Sequence, residues 1–250
     1  MMARGTRGMT YDPLGTLKPM AENVWIIDGP IIRFGLPWPK MPFSTRTTVI
    51  RLAGGLFVHS PTPLSRALAV AVAEFGPVRW IVGPNRLHYS WISEWRMTYP
   101  EARVYLAPKI VEQARGRVAF AAEALDATGG YPWDAELATL PITSRFMTEV
   151  EFFHHASRTL ILTDLIENFE PGKLGFGMRC LACLGGALAP NGSTPRDMRP
   201  MFRGHRAPLR AAIETMLAWQ PERIILAHGS CFDADGTAEL RRALGWALAR

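Results

Sequence analysis

Short apolar runs that stop abruptly at a polar residue set the pattern of this chain. Trp80-Ile81-Val82-Gly83-Pro84 gives way to Asn85, with His88 just beyond. Leu160-Ile161-Leu162-Thr163 stops at Asp164, and Ile224-Ile225-Leu226-Ala227 stops at His228-Gly229. Each run is aliphatic or β-branched and closed by a turn signal, which predicts a buried strand. Open α/β sheets carry their ligands at strand ends. His, Asp and His at three such ends therefore suggest one metal site at a sheet edge.

Further strands are predicted at Val24–Asp28, at Thr47–Leu52 with Leu56–His59 as a hairpin through Gly54-Gly55, and at Val104–Ala107. Glu149–His155, a turn at Ala156-Ser157-Arg158, and Thr159–Thr163 form a second hairpin. Helices are predicted from Pro63, with Leu64, Leu68, Val72 and Phe75 on one face, and over Ser90–Tyr99, with Trp91 and Trp95 at spacing four. Leu209, Ile213 and Met216 mark a later helix, and Leu240, Leu244 and Leu248 the last one. Residues 116–149 read as short strands and irregular segments. Three prolines between Pro37 and Pro42 require a loop. The Gly- and Pro-rich stretch Gly172–Pro200 is expected to cover the site as a mobile lid. Periodicity thus gives an α/β chain with mixed sheets. Residues 1–22 are expected as a flexible arm and residues 23–250 as a single domain.

At 250 residues, with 48% hydrophobic and 20% charged residues, the chain can bury a sizeable core and is not of disordered composition. No apolar stretch approaches the roughly 20 residues that span a bilayer. The basic start lacks the apolar segment of a secretory signal, so a cytoplasmic protein is expected. The net charge of +6 is scattered except for Arg196, Arg199, Arg203, Arg206 and Arg210. On a helix these would share one side, as a solvated face or a contact for an anionic substrate. Nucleic-acid contact through the same group is a third, weaker reading. Three cysteines do not make a disulfide framework. Cys180 and Cys183 in their apolar surroundings are expected as small buried helix residues, and Cys231 as a packing thiol beside the site.

The residues also resemble a known pattern. Gly55-Leu56-Phe57-Val58-His59-Ser60-Pro61, Pro84-Asn85-Arg86-Leu87-His88, the run Phe152 to Leu165 and Ala227-His228-Gly229 are similar to the metallo-β-lactamase superfamily. Within it they most resemble a divergent family known as a domain of unknown function. The resemblance extends from about residue 17 to 232, and Ser157-Arg158-Thr159-Leu160-Ile161-Leu162-Thr163-Asp164-Leu165 is its most specific part. It implies a four-layer αββα sandwich. The superfamily's first metal loop is His-x-His-x-Asp-His. The corresponding Asn85-Arg86-Leu87-His88-Tyr89-Ser90 holds one histidine, and no histidine lies near Thr143–Thr148. A complete dinuclear site is therefore not expected.

Zinc takes His nitrogen and carboxylate oxygen, and a catalytic site keeps an open position for water. His88, Asp164 and His228 would supply three ligands for zinc or another divalent metal. Asn85 would donate to a developing oxyanion, and Glu149 would stand in for the missing ligand. In the competing reading no metal binds, the three residues cap loops and make structural hydrogen bonds, and the protein is a small-molecule-binding or interaction protein. His154 is expected to be buried and hydrogen-bonded on the face of Val150 and Phe152, with His155 opposite. His59 and Ser60 are expected as hydrogen-bonded support for the site, and His205 as exposed.

Overall fold

The computed structural model describes residues 9–34 and 41–249. Strand β1 (Leu17–Ala21) pairs antiparallel with β2 (Val24–Phe34), β2 with β3 (Met41–Leu52), and β3 with β4 (Gly55–His59). From there the sheet continues in parallel through β5 (Val78–Gly83), β6 (Arg103–Leu106) and β7 (Glu123–Ala124). Parallel neighbours need crossover connections. Helices α1 (Arg66–Ala73), α2 (Ile92–Thr98) and α3 (Ile110–Ala114) supply them. Helix α1 starts at Ser65, whose hydroxyl accepts the Leu68 N–H at 3.1 Å.

The second sheet has four strands. Strands β8 (Leu137–Thr143), β9 (Thr148–His154) and β10 (Thr159–Leu162) are antiparallel neighbours, and β11 (Arg223–Leu226) lies parallel to β10. The β10–β11 connection carries α4 (Phe176–Gly185) and α5 (Arg206–Ala218). The chain then adds α6 (Gly236–Ala243) and α7 (Gly245–Leu248).

Strand alternation sorts the apolar side chains into layers. Val150, Phe152, Ile161 and Ile225 join a core with Phe57, Val58 and Trp133, so they face the seven-stranded sheet. The rings of Phe57 and Phe152 meet at 5.1 Å across that interface. Phe153, Leu160, Leu162, Ile224 and Leu226 point the other way, onto Leu209, Ile213, Met216 and Leu240 of α5 and α6. Leu68, Val72, Ile92 and Trp95 of α1 and α2 complete the first core. The result is helices, sheet, sheet, helices. Buried Trp95 and Trp133 each contribute roughly 4–6 kcal/mol of gross apolar burial. Their indole N–H groups cost nothing in return: they donate to Thr62 O at 2.7 Å and Thr139 Oγ1 at 2.9 Å.

Several expectations change. The arm expected over residues 1–22 contains β1, because Leu17–Ala21 pairs with the early part of β2; residues 1–8 lie outside the described residues. Most of the proline loop also lies outside them, and Met41 and Pro42 belong to β3. The last helix breaks at Leu244 into α6 and α7. Cys180 and Cys183 are helical but exposed, since α4 buries only Ala182. Gly172–Pro200 is built around that helix and is not an irregular stretch throughout. The arginine group divides between a loop, the 3-10 turn Arg199–Phe202 and α5, so it forms no single helical face. Arg199 and Arg206 flank the Trp246 ring at 5.1 and 5.3 Å. His205 is half-buried at the start of α5. Among the described residues, no helix is long and apolar enough to cross a membrane.

Candidate metal centre

The parallel pairing of β10 and β11 sets Leu162 opposite Leu226. Asp164 and His228 each lie two residues beyond that pair, so they emerge side by side at one sheet edge. Strand β5 of the other sheet ends at the same edge, where Pro84 O accepts the Val150 N–H at 2.9 Å. The loop after β5 brings Asn85 and His88 over Asp164. All three strand ends picked out by their apolar runs therefore converge.

His88 Nε2 lies 3.4 Å from both Asp164 oxygens, and His228 Nε2 lies 3.2 Å from Asp164 Oδ1. The ligand atoms of the three residues all lie within 4.8 Å of one another. Each imidazole is fixed through its other nitrogen. His228 Nδ1 is 2.6 Å from Ser44 O, and His88 Nδ1 is 2.7 Å from Ser60 Oγ. A carbonyl can only accept, so His228 carries its proton on Nδ1. In the neutral imidazole the Nε2 lone pair then points at the Asp164 carboxylate. Two lone-pair bearers facing each other at 3.2 Å need a cation or a second proton between them. Ligand atoms ~2.0–2.1 Å from a tetrahedral zinc stand about 3.3 Å apart, close to the separations seen here. Imidazoles anchored through their second nitrogen, together with a carboxylate, are the usual donor set of such an ion.

The surroundings hold the donors rigidly. Asn85 Nδ2 donates to Asp164 Oδ2 at 2.6 Å and to Thr163 Oγ1 at 3.0 Å, while its Oδ1 accepts from the Leu87 and His88 N–H groups. Asn85 therefore has no free N–H for a developing oxyanion, which corrects the catalytic role expected of it. Its place is filled by a positioning contact to Asp164. Glu149 is likewise not a substitute ligand. Its Oε1 accepts from Thr163 N, Thr163 Oγ1, Asp164 N and Leu165 N at 2.6–3.1 Å, and so shapes the turn that presents Asp164. Burial, then the Asp164 charge, pushes Glu149 above the usual carboxylate range. Burial and the Glu149 carboxyl push Glu151 up further. For Asp164, burial acts upward but is outweighed by His88 and His228, which hold the carboxyl far below its ordinary value. Burial pulls His88 down, yet the Asp164 carboxylate outweighs it and leaves His88 raised.

Sequence reading missed Arg46. It sits in mid-strand, is buried, and binds Asp28 Oδ1 at 2.8 Å. Its Nη1 donates to Leu226 O at 2.5 Å, to Gly229 O at 2.9 Å and to Cys231 Sγ at 3.3 Å, clamping the loop that carries His228. Gly229 in that loop has φ of +86°, and a Cβ there would meet Asn168 O at 2.1 Å, so only glycine fits. Of the expected supports, Ser60 meets His88, whereas His59 is buried with neither ring nitrogen partnered among the described residues. Burial, then His88, lowers His59 to about 3. His154 is buried and bonded to Ser157 Oγ at 2.7 Å, and His155 is exposed.

The family model described as Domain of unknown function (DUF4336) matches residues 24–172, more than half of the chain. No curated protein matches. Among solved structures, the DIM-1 metallo-β-lactamase exposed to ceftazidime superposes with a TM-score of 0.61 at 12% identity, covering 93% of this chain and 96% of that one. A metallo-β-lactamase from Hirschia baltica gives 0.58 at 12% identity, covering 93% and 97%. The metal-soaked Flv1 flavodiiron core from Synechocystis sp. PCC6803 gives 0.58 at 10% identity, covering 93% of this chain and 60% of that one. At these identities the likeness is one of fold.

Proposed function

This chain belongs to the DUF4336 family and has the metallo-β-lactamase fold, and from that premise we propose that it is a metal-dependent hydrolase with one mononuclear site, formed by His88, Asp164 and His228. One observation carries the reading. The Ser44 carbonyl fixes the proton of His228 on Nδ1, which leaves Nε2 directed at the Asp164 carboxylate at 3.2 Å, a geometry made for a cation. A second ion lacks donors, because Asn85 stands where the superfamily's first histidine would be and its amide is already bonded to Asp164.

Two imidazoles and a carboxylate suit zinc and ferrous iron alike. Such an ion, when bound, supplies Lewis acidity and lowers the pKa of a coordinated water. The chain's own residues hold the geometry: Ser44 and Ser60 orient the imidazoles, Asn85 and Glu149 orient Asp164, and Arg46 fixes the loop of His228. Elemental analysis of protein purified without chelator tests the proposal. It expects close to one ion per chain in the wild type and none in His228→Ala, since two remaining donors hold an ion poorly against water. Metal-free protein, even after zinc and ferrous iron are added, refutes it. The same result would favour the second reading, a metal-free small-molecule-binding or interaction protein in which a second proton on a histidine satisfies Asp164.

A further inference from the structure

A cavity of about 350 Å³ lies beside the His–Asp–His cluster, between α4, the start of β3 and the turn at Pro195–Asp197. Phe43, Phe169, Leu174, Met178 and Ala182 give it apolar walls. The Phe43 ring lies 5.2 Å from the His228 ring and 5.8 Å from Phe169, so one side chain borders both the cavity and the cluster. Two carboxyls line this space: that of Glu167 in its interior, and that of the exposed Asp197 at the rim beside Arg196. Glu167 is 7% exposed, and among the described residues neither a hydrogen-bond donor nor an ion-pair partner meets its side chain.

A buried carboxylate without a partner is costly. Burial is the main cost; of the charges around it, His228 eases that cost while Asp164, Asp197 and Glu149 add to it. Burial and these carboxylates push Glu167 up to about 8, with His228 pulling the other way. The nearby cation at the rim, Arg196, is exposed and donates Nη1 to Leu184 O at 3.0 Å. Apolar walls around a buried acid without a partner call for a ligand that brings both missing parts. We propose that this cavity binds a small molecule with an apolar body and a protonated amine, the amine pairing with Glu167.

As the substrate class of the neighbouring centre, this assignment rests on the hydrolase reading. As a binding site it does not, and it is tested on chelator-treated protein so that the two fail separately. Hexylammonium, 1-hexanol and hexanoate are titrated in turn, with binding followed by NMR chemical shifts. A charge-assisted hydrogen bond to a buried carboxylate predicts that hexylammonium binds about tenfold or more tightly than hexanol, with hexanoate weakest. In Glu167→Gln the amine's advantage disappears while hexanol binding persists. Met178→Gln weakens amine and alcohol together and leaves their ratio unchanged. Equal affinities for amine and alcohol in the wild type, or no saturable binding of the amine, overturn the proposal. An amine preference that survives in Glu167→Gln overturns it as well.

Discussion

Replacing Arg46 with methionine removes the clamp on the His228 loop while leaving a side chain of similar length in its place. Arg46 meets Asp28 Oδ1 at 2.8 Å and reaches Leu226 O, Gly229 O and Cys231 Sγ, all in a buried setting. Breaking a buried ion pair from one side costs about 3–5 kcal/mol. Two carbonyls left without a donor would add about 1–3 kcal/mol each. Lys18 offsets part of this, because its Nζ stays 2.9 Å from Asp28 Oδ2 and keeps that carboxylate paired. A net loss of at least about 3 kcal/mol is therefore expected for Arg46→Met, read as a shift of the urea midpoint in the presence of chelator. Asp28→Asn completes a double-mutant cycle, in which the coupling between the two residues should amount to about 1–3 kcal/mol. A loss below about 1 kcal/mol, or no coupling, would show that Arg46 does not hold this loop.

Other outcomes follow from the same geometry. Asn85→Ala should cost about 1–3 kcal/mol and, if metal binds, lower its affinity about 10- to 100-fold, because Asp164 loses its orienting donor; calorimetric titration reads the second effect. His59 stays neutral in the fold down to about 3, against 6.5 when free, so the unfolded chain binds the extra proton and stability is lost as pH falls between those values. His59→Phe should flatten that acid limb by up to about 3 kcal/mol, measured as the urea midpoint at pH 7 and pH 4; an unchanged limb would contradict it. Cys180 and Cys183, exposed on α4, should react quickly with Ellman's reagent in the native protein, whereas Cys231, half-buried beside Arg46 with its thiol pushed up by burial, should react more slowly than either.

The three strand ends were legible because a short aliphatic run that stops at His or Asp is an unusual pattern, and the register of β10 with β11 turns that pattern into adjacency. What supports them was not. Arg46 lies in Thr45-Arg46-Thr47-Thr48, a polar stretch that reads like a solvent-facing strand segment. It is buried because β3 lies inside the seven-stranded sheet, and three of its partners, Leu226, Gly229 and Cys231, lie 180 or more positions away. Glu149 lies close to the position of the superfamily's missing ligand, and only the folded turn shows its carboxylate aimed at backbone N–H groups. The error over Cys180 and Cys183 has a similar origin. Apolar neighbours suggested burial, yet α4 lays only a narrow strip of its surface on the protein, and Phe176 and Leu184 are exposed beside them. Glu167 gave no signal in sequence, since its significance lies in partners that are missing.

Anomalous diffraction from crystals grown without chelator, recorded at the zinc and iron edges, addresses the metal centre most directly. One peak is expected per chain, bonded to His88 Nε2, His228 Nε2 and an Asp164 oxygen at about 2.0–2.2 Å, with Asn85 still donating to Asp164. No peak at that position after metal soaking, with His88 or His228 instead closing on Asp164 through a proton, would contradict the account.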